Sequence, residues 1–424
     1  EYDRYGRCTK VVDDGHAATT QYDLLDRPIA RTDFNNVISM TDYDDVGNVR
    51  RQVEAAYLDE QRITTYEYDA NNRPVRIVNA LTNVVEYQYD TLGRRIQSKD
   101  ELGRFSCYSY DTAGNVSSVI KPDGTVFSNV YDALNRRIAF AVDGEVRQQF
   151  AYDLLSRMTN AVDYNRSGSG DDAVVAYQYD ALNRVMRESQ NGRDLLREYD
   201  ENGNIVQVTY PSGQTVTRDF NDNNQVDAVH SGGRTFASYT YTENSRVDAI
   251  EYGNGVRETR GYDGRDIMNR LAQTKTGSVN FQHDLVHDGN GNVIESTLNS
   301  TGSFQYAYDA FNQIKERRDK NTGYLKEIWS FDRLGNWESY TNITKAIGEA
   351  RQVNKANQYT RINDDELTFN DNGSLTGWND REFVYDALER LIEVRSNDQT
   401  VAIYTYDALN RRVSKEIPAL SRTT

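Results

Sequence analysis

Few residues in this 424-residue chain are placed to do chemistry. There are four histidines: His16, His230, His283 and His287. Two of them lie in HDLVHDGNGN, residues 283–292, beside Asp284 and Asp288. Imidazole and carboxylate together are a donor set for a divalent metal. DGNGN at 288–292, DENGN at 200–204 and NDNGS at 370–374 look like short calcium loops, with oxygen ligands around a glycine. Asp and Glu together number 65, so carboxylate pairs of the glycosidase kind can be picked almost anywhere.

The elements that must carry these residues weaken each reading. If His283 and His287 share a strand, four residues separate them by about 13 Å, too far for one metal unless the backbone bends. The calcium-like loops lack the distal Glu and the flanking helices of an EF-hand. Neither a G-x-S-x-G elbow nor a P-loop nor a dinucleotide fingerprint occurs. Cys8 and Cys107 make no disulfide framework and no zinc pattern. The expectation is a non-enzymatic chain with no catalytic residue, no cofactor and no metal.

The same loops recur as parts of a repeat. An aromatic anchor followed by a turn returns every 20 or 21 residues along most of the chain. The clearest copies are Tyr68-Asp69 with Asn72-Arg73, Tyr89-Asp90 with Gly93-Arg94, and Tyr110-Asp111 with Gly114. They continue as Tyr131-Asp132 with Asn135-Arg136, Tyr152-Asp153 with Arg157, and Tyr179-Asp180 with Asn183-Arg184. The last are Tyr385-Asp386 with Arg390, and Tyr406-Asp407 with Asn410-Arg411.

Each slot has a physical reading. The residues before the anchor are β-branched and aromatic, which suits a strand. Asp opens a turn because its carboxylate caps nearby backbone N–H groups. Three residues later stands Gly or Asn, the two types that best tolerate positive φ. Arg then starts the return strand, four residues after an Asp that it can pair with, within or between repeats. A looser second turn, such as PDG at 122–124 or PSG at 211–213, closes each unit of about 21 residues. The fold class is therefore all-β: a repeat protein of consecutive antiparallel hairpins.

An aromatic often stands two residues before the anchor, on the same strand face, as Tyr66, Tyr87, Phe150, Tyr177 and Tyr404 do. Rows of packed rings follow. A carbohydrate-binding strip on a cell surface is the alternative for the same residues.

The array reads as one domain, 1–417, with a polar loop insertion at about 160–174, a degenerate segment at about 341–368, final repeats at 369–417 and a tail at 418–424. Within the degenerate segment Ala-Ile-Gly-Glu-Ala-Arg, residues 346–351, reads as a short helical turn. The formal net charge of −16 excludes nucleic acid as the main partner, since phosphate rewards Lys and Arg. No apolar run is long enough for a membrane helix. The chain opens inside a repeat, at EYDRYGR, and reads as a piece of a longer protein.

YDTLGRR, YDALNRR, YDTAGN and YDALERL resemble the motif of the YD-repeat (Rhs) family, and the resemblance covers nearly the whole chain. That family includes bacterial polymorphic toxins, the B and C components of insecticidal toxin complexes, and the teneurin shell. The resemblance implies a β-sheet wound spirally into a hollow or partly closed shell, secreted or at the cell surface. It implies as partners a polypeptide cargo, or the remaining shell segments of the same protein. Cell-surface glycans are the partners of the adhesive alternative.

Overall fold

A computed structural model describes residues 1–13, 15–165, 172–299, 301–420 and 422–423. It is built of strands, 40 among the described residues, with one short 3-10 turn at Pro418–Leu420. No helix among these residues is long and apolar enough to cross a membrane.

The chain forms two compact units, each assembled from two separate runs. The first unit takes Glu1–Glu86 as its early run and Arg234–Asn357 as its late run. The second takes Tyr87–Gly233 and Gln358–Thr424. Within a run each strand pairs antiparallel with the next, as a string of hairpins must. Phe105–Tyr110, for example, lies between Arg95–Lys99 and Val116–Ile120.

The pairing slips by one residue just before each anchor, between Ser109 and Tyr110, Val130 and Tyr131, or Thr405 and Tyr406. Such a bulge bends and twists the strand as it enters the turn. The anchor keeps its face: in Phe105–Tyr110 both Tyr108 and Tyr110 are half-buried while Ser109 between them is exposed.

Wholly buried side chains are few. A small core cluster in the second unit joins Phe150 and Ala161 of the early run to Ala408 of the late run, with Tyr152 and Met158 against it. Elsewhere the sheet is held mainly by backbone pairing and polar side chains.

One expectation fails. Residues 347–353 form a strand, not a helical turn. Asn342 accepts from the Lys345 N–H and Ala346 takes φ 51°, which folds the chain back. Ile347 then pairs with Asn342 and Ala350 with Ser339, so the neighbouring strand overrides the local helix propensity. Of the loop expected at about 160–174, residues 166–171 lie outside the described residues, as do 421 and 424 of the tail.

Candidate functional site

The repeated corner is built from its aspartate. Asp90 Oδ1 accepts the N–H groups of Leu92 and Arg94 at 2.9 and 2.8 Å. The Gly93 N–H donates to the Asp90 carbonyl at 3.0 Å, and the Asp90 N–H to that of Arg94 at 2.9 Å. Closing the turn this way forces the third residue after the Asp into positive φ: 84° at Gly93, 89° at Gly114, and 61°, 61°, 67° and 62° at Asn72, Asn135, Asn183 and Asn410. The same slot also takes Ser156 and Glu389, at 63° and 59°.

Asp Oδ2 receives the arginine. Nε of Arg73, Arg94, Arg136, Arg157, Arg184, Arg390 and Arg411 donates to the aspartate four residues earlier at 2.6–2.7 Å. At Asp111, Asn115 takes this part at 2.9 Å.

The corners are also joined to one another, and in one direction. Arg136, already bound to Asp132, lays its guanidinium over the Tyr152 ring, 4.9 Å from the centroid, and donates to the Asp153 carbonyl at 3.1 Å. Arg94 covers Tyr110, Arg157 covers Tyr179 and Arg390 covers Tyr406 in the same way, at 4.5–5.1 Å. The covered tyrosine answers through its hydroxyl. Tyr110, Tyr131, Tyr152, Tyr179 and Tyr406 donate to the carbonyls of Arg95, Val116, Arg137, Met158 and Leu391, each the first residue after the previous corner. Where the preceding corner ends in Arg, as before Tyr110, Tyr152, Tyr179 and Tyr406, the anchor ring meets that arginine, a cation–π contact that also fixes its polar end.

A second link runs through the positive-φ slot. Where a corner ends in Asn, its amide donates to the slot residue of the next corner: Asn48 to Asn72, Asn115 to Asn135, Asn204 to Asn224, Asn292 to Asn312, Asn336 to Asn357, at 2.6–3.1 Å. In all five the acceptor is Asn. Gly would satisfy φ but has no side-chain oxygen; where the donor is the longer Gln358, the Gly373 carbonyl accepts instead, at 2.9 Å. Sequence reasoning read the slot as conformation alone and missed this pairing, although Asn followed one repeat later by Asn is visible in the text.

Within each unit the late run docks its corners on the far turns of the early run. In the first unit Asn35 and Asn290 reach across reciprocally to Asp288 and Asp33 at 2.9 and 2.8 Å. Arg62 bonds Gln313 at 2.7 Å and lies 3.4 Å above the Phe311 ring. In the second unit Lys121 pairs with Glu389 at 2.8 Å, and the Asn165 amide bonds both the carbonyl and the N–H of Tyr406.

The most buried seam contact is ionic. Arg390 grips Asp163 with two bonds, at 2.7 and 3.1 Å, while holding its own Asp386 at 2.7 Å and the Asp407 carbonyl at 3.3 Å. Asp163 is 1% exposed and Asp407 0%, and Gln148 completes the Asp163 shell at 2.8 Å. Burial opposes the charge on Arg390, but its bonds to Asp163 and Asp386 hold its proton above the ordinary guanidinium value.

The residues first considered for chemistry serve this framework. His283 bonds Ser296 at 2.7 Å, and a bulge separates it from His287. Asp284 is taken by Arg270 and Gln282, both at 2.6 Å. Asp288, Asp200 and Asn370 each cap their own corner. Among the described residues no three His, Cys, Asp or Glu side chains are grouped to hold a metal. An open concavity of about 850 Å³ in the first unit is lined by strand side chains such as Arg31, Thr41 and Glu54 with Phe311.

The corner carboxylates set an acid limit. The Arg136 guanidinium and backbone hold Asp132 below the usual carboxylate range, the Arg73 side chain does so for Asp69, and the Arg157 N–H for Asp153. A depressed folded value stabilises the fold above the unfolded value of about 3.9 and is lost as pH falls through the lower one. The denaturant midpoint, followed by circular dichroism, should therefore hold from neutral pH to about 4.5 and drop steeply below about 4. A fall between pH 7 and 5 would contradict this assignment.

Comparison with known proteins agrees with this geometry. A family model for the teneurin YD-shell matches residues 235–419, and one for the RHS repeat matches 68–104 and 89–126. The chain is 22% identical over 256 residues to the double-stranded DNA deaminase toxin A of Burkholderia cenocepacia, covering 57% of this chain and 17% of that protein. It is 26% identical over 116 residues to the tRNA nuclease WapA of Bacillus subtilis, covering 26% and 5%. Among solved structures it resembles the Photorhabdus luminescens Tc holotoxin pore, with TM-score 0.78 and 14% identity over 95% of this chain and 26% of that one. It resembles TcdB2-TccC3 with TM-score 0.79 and 14% identity, over 100% and 28%. The chain thus spans about a sixth of the first relative and about a quarter of each solved chain.

Proposed function

We propose that this chain, a YD-repeat (Rhs) shell protein, is a stretch of wall that encloses or presents a polypeptide cargo in a secreted or cell-surface toxin system. One observation carries the reading. Arg94, Arg136, Arg157 and Arg390 each lie over the anchor ring of the next corner, and Arg390 also grips the facing run, so the repeat is organised for continuity rather than for binding at each copy. The double-stranded DNA deaminase toxin and the tRNA nuclease are named for activities on nucleic acid. The acidic repeats here offer no such surface, and the reading assigns such chemistry to a cargo and a non-enzymatic role to the wall. Residues 1–417 are taken as one array with 418–424 as its tail, and the remaining partners as further shell segments of the same protein.

A glycan strip has no observation in its favour. Of the rings that would form it, Tyr87, Phe150 and Tyr404 have an arginine 4.8–5.5 Å from their centroids, and the Tyr66 hydroxyl donates to Gln52.

Protease protection tests containment. In the product of the complete reading frame, polypeptide beyond the repeats should resist a soluble protease under native conditions and be cut once the repeats are unfolded. Cutting at the rate of free polypeptide in the native protein would overturn the reading.

A further inference from the structure

The concavity of about 850 Å³ in the first unit has a local cause. Two residues before the anchor many repeats carry a ring, such as Tyr66, Tyr87 and Tyr108. Before Tyr22 and Tyr43 that place is taken by Thr20 and Thr41, and both line the hollow. Small side chains where the sheet elsewhere holds rings leave the space open. The hollow is not at a sheet edge. The strands His16–Tyr22, Pro28–Thr32, Ile38–Tyr43 and Val49–Glu54 are each paired on both sides.

Charge is unbalanced in the same place. Arg31 stands across from Thr20 on one side and Ser39 on the other, so the three side chains share a face. Arg317 holds the equivalent position after its own anchor, Tyr308. There the two neighbours are Tyr306 and Glu327, and the Glu327 carboxylate pairs with the guanidinium at 2.9 Å. At Arg31 both the ring and the counter-ion are replaced by hydroxyls. Among the described residues the exposed Arg31 side chain has no hydrogen-bond or ion-pair partner, and the hydroxyls of Thr20 and Ser39 are likewise unspent.

A second guanidinium lines the hollow. Arg62 is fixed by Gln313 at 2.7 Å and by the Phe311 ring at 3.4 Å, but no carboxylate among the described residues pairs with it. Two carboxylates lie on the same walls. Asp33 is spent on the N–H groups of Asn35 and Val37 and on the Asn290 amide. Glu54 stands across from Arg62 without an ion pair, on the strand pair remote from Arg31.

We propose that this hollow is a binding site for a carboxylate carried on an apolar or aromatic body. The Arg31 fork takes the two carboxylate oxygens side by side, as guanidinium groups do. Thr20 and Ser39 each add one O–H donor from the flanking strands. Met40 and Phe34 give the apolar body a wall to lie on. The volume falls within the ~300–1,000 Å³ of small-molecule clefts. A free acid and the terminal carboxylate of a polypeptide share this chemistry, and the test separates them. The site is independent of any enclosed cargo and stands whether or not the wall contains one.

Calorimetric titration of the whole 424-residue chain tests it, with three probes. They are N-acetylphenylalanine, a short peptide ending in phenylalanine as the free acid, and the same peptide as its C-terminal amide. Both acids should bind with Kd at or below about 1 mM, and the amide about tenfold more weakly or worse. Arg31→Gln should weaken both acids by about tenfold or more, with an unchanged circular dichroism spectrum because the side chain is exposed. Thr20→Val with Ser39→Ala should cost a smaller factor. Arg50→Gln, at an exposed position outside the hollow, should change nothing. Tighter binding of the peptide acid supports the site with a polypeptide as its source, and equal binding supports it with a free acid. No binding of either acid up to about 10 mM, an amide that binds as well as the acid, or an Arg31→Gln variant that binds like wild type would each overturn the proposal.

Discussion

Arg390→Ala is expected to destabilise the second unit by about 3–5 kcal/mol, the usual result of removing one partner of a buried ion pair. Asp163 would be left charged and almost wholly buried, retaining only Gln148 at 2.8 Å. Asp386 and the Asp407 carbonyl would each lose a donor as well. For a cooperative unit of this size the melting temperature should fall by about 10 °C, read by calorimetry. Two further variants separate charge from packing. Arg390→Lys keeps the charge but cannot span Asp163 and Asp386 with a planar fork, so it should recover only part of the loss. Arg390→Met combined with Asp163→Leu removes both charges and should be markedly more stable than Arg390→Ala. If Arg390→Ala melts with the wild type, the pair does not hold the runs together.

Phe150→Ala is expected to cost a similar amount, about 3–5 kcal/mol, through a cavity rather than a charge. Phe150 is 9% exposed and packs on Ala161 and Ala408, with the Arg137 guanidinium 4.8 Å from its ring. The two alanines cannot reach into the gap, so it closes only as far as Tyr152, Met158 or Arg137 can move. Phe150→Leu keeps most of the volume and should cost less than about 1.5 kcal/mol. Hydrogen exchange distinguishes the two sites. Opening at Phe150 should speed exchange in Glu145–Tyr152 and Met158–Asp163, the strands it joins. An equal loss of protection throughout the first unit would contradict the local role.

The corner was legible in the sequence because all its causes are local. Asp, a positive-φ residue and Arg lie within five positions, and the hydrogen bonds that close the turn run between those same residues. The aromatic rows were only half legible. Spacing put the anchors on one face, but nothing local says that an arginine from the previous repeat slides between them. The Asn-to-Asn link lay open in the text and was passed over, because tolerance of positive φ already accounted for the slot. The strand at 347–353 was hidden by its composition, since Ala, Glu and Arg favour helix and only the partner strand overrides them. The seams were not legible. Asp163 and Arg390 stand 227 residues apart, and neither differs in type from many other Asp and Arg residues.

The two kinds of contact set different rules for how such a chain can change length. A corner asks only that another corner follow, so adding or deleting a whole repeat leaves that grammar intact. The five Asn links add one condition, that the next slot supply an oxygen. The seam instead counts. One repeat gained between Asp163 and Arg390 would bring a different corner opposite Asp163 and misalign every later lateral contact. Copy number should therefore drift freely in stretches without a lateral neighbour and be held fixed between residues that meet across a seam.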